Sequence, residues 1–171
     1  MSGQSVQITQ DADADASSID VSVDESILAV VVSKGACLRG ELYLIDTSSL
    51  QKYGPYELGF NPDAVDIAVD NKFVVVVNEF DYEDGVDGGC QSLGFPGVSV
   101  YDISAGIDKA SLVKDMKISH TGSNGNLAEP EGVKIAPNGD TVYMTLQESN
   151  ETVSYTHLRA HETVLDLVCR L

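Results

Sequence analysis

Ala64-Val65-Asp66-Ile67-Ala68-Val69-Asp70, a polar turn through Asn71-Lys72, and the run Phe73-Val74-Val75-Val76-Val77 together decide how this chain folds. Val65, Ile67 and Val69 fall on one side of an alternating strand, with Asp66 and Ala68 on the other, the pattern of a half-buried strand. The unbroken β-branched run that follows predicts a strand covered on both faces. The same unit is written on either side. Ser18-Ile19-Asp20-Val21-Ser22-Val23-Asp24 precedes an apolar run at 27–32, and Gly132-Val133-Lys134-Ile135-Ala136-Pro137-Asn138 precedes one at 141–146. The offsets are 46 and then 68 residues, and Asp24-Glu25-Ser26, Asp70-Asn71-Lys72 and Pro137-Asn138-Gly139 supply turn chemistry.

A third strand recurs as Glu41-Leu42-Tyr43-Leu44-Ile45-Asp46 and Gly97-Val98-Ser99-Val100-Tyr101-Asp102, and a weaker fourth at 54–58 and 112–119. Four strands in a unit of about 45 residues is the blade of a β-propeller. The longer second offset reflects an insertion at 79–96 between strands two and three. The expected fold is therefore all-β: an open arc of about two and a half four-stranded antiparallel blades. Propellers close with about 4 to 8 blades, so such an arc leaves strand edges uncovered and is expected to be marginal or aggregation-prone alone.

The 171 residues carry 10 Lys+Arg against 27 Asp+Glu, a formal charge of −17, with 43% apolar residues. That apolar content is enough for a core. Charge of this sign argues against nucleic acid as partner and suits the attraction of cations. No apolar run approaches a membrane span, and residues 1–10 carry no secretory leader. Gly-x-Ser-x-Gly and the Gly-x-x-x-x-Gly-Lys loop are absent, and His120 is the sole histidine before the C-terminal tail. Asn150-Glu151-Thr152 matches a glycosylation acceptor.

In an antiparallel blade the entry to strand one and the loop between strands two and three lie at the same end. Asp63 and Glu131 belong to the first; Glu79 and Glu148 enter the second, and the insertion adds Asp81, Glu83, Asp84 and Asp87. These eight carboxylates are expected on one face, at the mouth of the central channel. Asp81-Tyr82-Glu83-Asp84-Gly85-Val86-Asp87-Gly88-Gly89 has the oxygen donors and glycines of a Ca²⁺ loop, without the helices or spacing of an EF-hand. The plainer alternative is a solvated acidic loop. Cys37 and Cys90 both follow second strands, so a bridge between them would pin the insertion to the first blade in an oxidising compartment; two free thiols are the alternative. Lys34 and Arg39 are the nearest basic residues on that face.

The motifs Asn61-Pro62-Asp63-Ala64-Val65-Asp66-Ile67 and Glu129-Pro130-Glu131-Gly132-Val133-Lys134-Ile135 resemble blade openings of secreted propellers of the choice-of-anchor I, esterase-like activity of phytase and YVTN (YncE-like) types. The order Val76-Val77-Asn78-Glu79, an acidic Gly-rich loop, residues 94–102, then Thr145-Leu146-Gln147-Glu148-Ser149-Asn150 looks most like choice-of-anchor I. The resemblance implies an extracellular or periplasmic protein and a seven-bladed ring. On this reading the chain is a fragment of a binding module with an acidic, Ca²⁺-binding loop face, its ligand a small molecule, glycan or protein. The alternative is a metal-dependent phosphoesterase of phytase type, so catalysis is left open.

Residues 153–171, VSYTHLRAHETVLDLVCRL, resemble the translation of a transposase sequencing adapter. Residues 1–152 are then an incomplete propeller and 153–171 an artefact tail, as in a metagenomic fragment, and His157, His161 and Cys169 drop out as metal ligands.

Overall fold

The structure, a computed structural model, describes residues 3, 5–35, 37–80, 94–118, 128–156 and 158. Strands β1 (Asp15–Val21), β2 (Ile27–Ser33), β3 (Arg39–Asp46) and β4 (Lys52–Phe60) form one antiparallel sheet in sequence order. Strands β5 (Pro62–Ile67), β6 (Phe73–Asn78), β7 (Gly97–Asp102) and β8 (Ser111–Lys117) form the second in the same order. Strands β9 (Pro130–Ile135), β10 (Thr141–Leu146) and β11 (Glu151–Thr156) form the third. Among the described residues the only helix is a 3-10 turn at Ile107–Lys109, so none is long and apolar enough to cross a membrane. This is the fold of part of a β-propeller, with β1 beside β5 and β5 beside β9.

The unbroken run at β6 has the cause its composition implies. Val74 and Val76 pack on Ala29, Val31, Leu42, Leu44 and Leu58 of the first blade. Val75 and Val77 pack on Val142, Met144 and Leu146 of the third. A middle blade thus buries both faces, whereas the first has a rear face and the third a front face with no neighbouring blade. Residues near Gln7 and Ile8 lie over the outer part of the first blade's rear face, where Lys52 Nζ donates to their carbonyls at 3.1 and 2.5 Å and sits 4.9 Å from the Tyr43 ring.

The turn from strand one to strand two is the same in every blade. Ser22, Ala68 and Ala136 N–H groups donate to Ile27, Phe73 and Thr141 carbonyls. Glu25, Asn71 and Gly139 take the left-handed conformation at φ 60°, 55° and 71°, which asparagine and glycine adopt most easily. The first strands begin before the alternating pattern does, because each opens on a β-bulge. Residues 17, 63 and 131 are the unpaired ones, between the pairs Ala16↔Val32 and Ser18↔Val31, Pro62↔Asn78 and Ala64↔Val77, and Pro130↔Leu146 and Gly132↔Thr145.

β11 makes the third blade three-stranded and runs across the junction at 152/153. Val153 and Leu158, both within the expected tail, are buried in the core with Met144 and Leu146, and Tyr155 packs against it. Val153 and Tyr155 alternate onto the face that meets the second blade, which is what a third strand requires.

Candidate functional site

The candidate site is built on the residues that open β5 and β9. Proline starts both strands, where its missing N–H costs no ladder bond. The backbone ahead of each proline is tied to the end of strand two: Glu79 N–H donates to Asn61 C=O at 3.0 Å, and Gln147 N–H to Glu129 C=O at 3.1 Å. The separation is 18 residues in both cases. This repeated tie puts the entry to strand one and the exit from strand two at one end of each blade, as the topology predicts.

The bulges decide what that end presents. A bulged residue leaves the strict two-residue alternation and its side chain is re-aimed. In the first blade the bulged residue is Ser17, whose hydroxyl donates to the Pro62 carbonyl at 2.7 Å. In the second and third blades it is a carboxylate, Asp63 and Glu131. Burial raises the Asp63 carboxyl above its ordinary range. Glu131 is raised by burial first and then by the charges of Asp63 and Glu148, so carboxylates from two blades share one field.

Glu79 has a different setting. Its carboxylate accepts from Asn61 Nδ2 at 2.7 Å, and Asn61 Oδ1 accepts from the Ser33 hydroxyl at 2.9 Å. This chain joins the first two blades at the same end. Asn78 beside it is buried with both ends of its amide used: Oδ1 accepts from Gly59 N–H at 2.9 Å and Nδ2 donates to Ser99 Oγ at 3.0 Å. Asn78 is therefore structural.

Asp81, Glu83, Asp84, Asp87, Cys90 and His120 lie outside the described residues. Among the described residues no three His, Cys, Asp or Glu side chains are grouped so as to hold a metal ion. Cys37 is in a disulfide, and the other cysteines of the chain lie outside the described residues. Lys34 and Arg39 border one open cavity of about 370 Å³, with Glu41, Glu57 and Pro55. Each is matched by a carboxylate. Lys34 Nζ lies 2.8 Å from Glu41, which also accepts from Tyr43 Oη, and Arg39 Nε lies 2.9 Å from Glu57. Burial, with Glu41 adding to it, pushes the Tyr43 phenol up to about 12.

A second set of carboxylates is not apparent from motif reading. Asp20 Oδ2 accepts from Ile67 N–H at 2.8 Å, and Asp66 Oδ2 accepts from Ile135 N–H at 2.7 Å. Asp20 and Asp66 hold the same place in the repeat, and each reaches forward to the residue one beyond that place in the next blade. Asp66 also takes a hydrogen bond from Lys134 Nζ, and Asp24 accepts from Asn71 Nδ2 at 2.9 Å. Alternation alone assigns Asp66 to a polar side, yet it is buried. The recurrence of aspartate at one repeat position is the signal that marks the joint.

These environments fix a pH dependence. A carboxyl raised in the folded state binds its proton more tightly there than in the unfolded chain, so its contribution to stability is complete below its ordinary value and lost as pH rises through its folded value. Asp63, Asp66 and Glu131 are all raised, chiefly by burial. Acidification from neutrality toward 4.5, the ordinary Glu value, is expected to raise the thermal midpoint. Asp24, Glu41 and Asp46 are lowered by hydrogen bonds, Asp46 to about 2, and their contribution is lost as pH falls through their folded values. Melting curves across pH should therefore show a maximum on the acid side of neutrality; a steady decline from pH 7 downward contradicts this.

No family model matches the chain, and no curated protein matches it. Its structure is similar to Kuenenia stuttgartiensis hydrazine synthase, with a TM-score of 0.62 at 13% identity, covering 81% of this chain and 39% of that one. It is also similar to the periplasmic gluconolactonase PpgL of Pseudomonas aeruginosa, with 0.56 at 16% identity over 82% and 39%. The Swd1 β-propeller domain of Myceliophteria thermophila gives 0.56 at 10% identity over 85% and 41%. At these identities the likeness is one of fold, and the chain spans about two fifths of the length of each of these structures.

Proposed function

We propose that this chain is part of a secreted β-propeller whose strand-entry face binds a divalent cation, Ca²⁺ by its chemistry, as part of an extracellular binding surface. The observation that carries the reading is the repeated β-bulge that sets a carboxylate, Asp63 and then Glu131, at the strand-entry end of two adjacent blades, with the Glu131 carboxyl raised by burial and then by Asp63 and Glu148. Buried or half-buried like charges are relieved by a proton or by a cation, and a hard cation takes carboxylate and carbonyl oxygens. The acidic residues 81, 83, 84 and 87 follow β6 in sequence and would enlarge the donor set. The disulfide at Cys37 supports an oxidising compartment, and pairing with Cys90 is the arrangement we favour. The pairing of Lys34 and Arg39 with carboxylates gives no support to a phosphate-binding centre.

The test is a Ca²⁺ titration of the full chain at neutral pH, followed by thermal melting, with Mg²⁺ as comparison and chelator to reverse it. Ca²⁺ at about 100 times its Kd should raise the midpoint by roughly 5–10 °C. Glu131→Gln should be more stable than the parent without Ca²⁺ and lose the Ca²⁺ response. An unshifted midpoint in the parent, or an equal shift in Glu131→Gln, contradicts the proposal.

A further inference from the structure

Among the described residues no blade packs against the rear of the first one. Ala29, Val31, Leu42 and Leu44 point forward into the core shared with the second blade. Side chains alternate along a strand, so Val30, Val32, Tyr43 and Ile45 point to the rear. All four are nevertheless buried, at 6% exposure or less. On the same face Ile19 and Val21, in the inner strand, are 66% and 50% exposed. The rear of β2 and β3 is therefore covered, and the rear of β1 is not.

The cover is the segment that precedes β1. Lys52 pairs with Ile45 and so also points rearward. Its Nζ donates to the Gln7 and Ile8 carbonyls at 3.1 and 2.5 Å and lies 4.9 Å from the Tyr43 ring. Val6 and Ile8 are half-buried and Gln7 between them is exposed, the alternation of an extended segment with its apolar side against a sheet. The Thr9 hydroxyl hydrogen-bonds the Tyr43 phenol, which donates in turn to Glu41 at 2.8 Å. Glu41 also accepts from Lys34 at 2.8 Å, and the Asp11 charge acts on that same ammonium. Side chains of the sheet thus make the ties from Lys52 to Lys34. Residues 5–11 belong to no strand, and among the described residues no backbone–backbone hydrogen bond joins them to the sheet. A segment held in this way opens at lower free energy than the strands beneath it.

We propose that residues 6–11 are a releasable strap, latched by Lys52, that closes the rear of β2 and β3. Released, the strap leaves Val30, Val32, Tyr43 and Ile45 to water and joins them with Ile19 and Val21 in one open apolar face, a surface of the kind that drives association. The state of the strap then decides whether this end of the arc is sealed or adhesive. The inference is independent of the cation reading.

The test compares the full chain with a form lacking residues 2–10, by thermal melting and by the fluorescence of the apolar dye ANS. Deletion should leave the chain folded, lower the midpoint by roughly 5–10 °C and raise dye fluorescence severalfold. Val6→Ser with Ile8→Ser, which keeps the chain length, should raise dye fluorescence in the same way. Lys52→Met in the full chain should move both readouts in the same direction by a smaller amount. In the shortened chain Lys52→Met should lower the midpoint by less than a third as much, because the latch then has nothing to hold. An unchanged midpoint and dye signal on deletion, a shortened chain that no longer folds, a serine pair without effect on dye binding, or an equal Lys52→Met loss in the two chains would each overturn the proposal.

Discussion

Replacing Asp66 by alanine is expected to destabilise the chain by about 3 kcal/mol and to lower its thermal midpoint by roughly 6–12 °C. The carboxylate is buried between the second and third blades, where it accepts the Ile135 N–H and a hydrogen bond from Lys134. Alanine removes both bonds and leaves the Ile135 N–H, at a packed joint, without its acceptor. Burial raises the Asp66 carboxyl, with Lys134 and the Ile135 N–H opposing, so the negative charge itself is held against a desolvation penalty. What matters is the acceptor oxygen. Asp66→Asn keeps an oxygen for Ile135 and should cost less than half as much as alanine. Lys134→Met should cost at most about 1 kcal/mol, because the ammonium is mostly solvated and exposed pairs contribute little. Equal losses in all three variants would show that the ion pair, and not the backbone acceptor, holds the joint.

Val75→Asp is expected to abolish folding, whereas Tyr143→Asp should change stability by less than about 1 kcal/mol. The two positions are equivalent in the repeat, 68 residues apart, each in the second strand and on the front face of its blade. Val75 is fully buried because the third blade covers it, and a carboxylate there has neither water nor a partner. Tyr143 is 48% exposed and pairs across the strands with Lys134, so an aspartate there meets water and a cation. Circular dichroism and urea titration of the two variants read the contrast. A folded Val75→Asp variant, or an unfolded Tyr143→Asp variant, would mean that the blades are not stacked in sequence order.

The blades are legible in the sequence because burial on two faces leaves an unambiguous mark. The run 73–77 contains no polar residue, and β6 spans Phe73–Asn78. The second strand of the third blade coincides with its expected bounds at 141–146. The openings of the first strands are harder to read for a physical reason. A bulge at residues 17, 63 and 131 breaks the alternation, so the paired backbone begins at Asp15, Pro62 and Pro130, ahead of the apolar pattern. That same bulge places Asp63 and Glu131 at the candidate site. Glu131 is raised by burial and then by the charges of Asp63 and Glu148, while the other carboxylates expected on that face, 81, 83, 84 and 87, lie outside the described residues. Asp20 and Asp66 are not recognisable as joint residues from alternation, since their partners are backbone N–H groups 47 and 69 residues away. The strand that follows the Asn150 turn, Glu151–Thr156, is absent from the expected blade because residues 153–171 resemble a translated adapter and are set apart from the repeat, although Val153 and Tyr155 alternate onto the core.

Successive blades are joined by a side-chain carboxylate that reaches one repeat forward. Residue-resolved amide exchange on the parent chain and on Asp20→Ala tests this most directly. Ile67 should lose protection in Asp20→Ala while Ile135, held by Asp66, keeps it. Unchanged protection at Ile67, or an equal loss at Ile67 and Ile135, would contradict it.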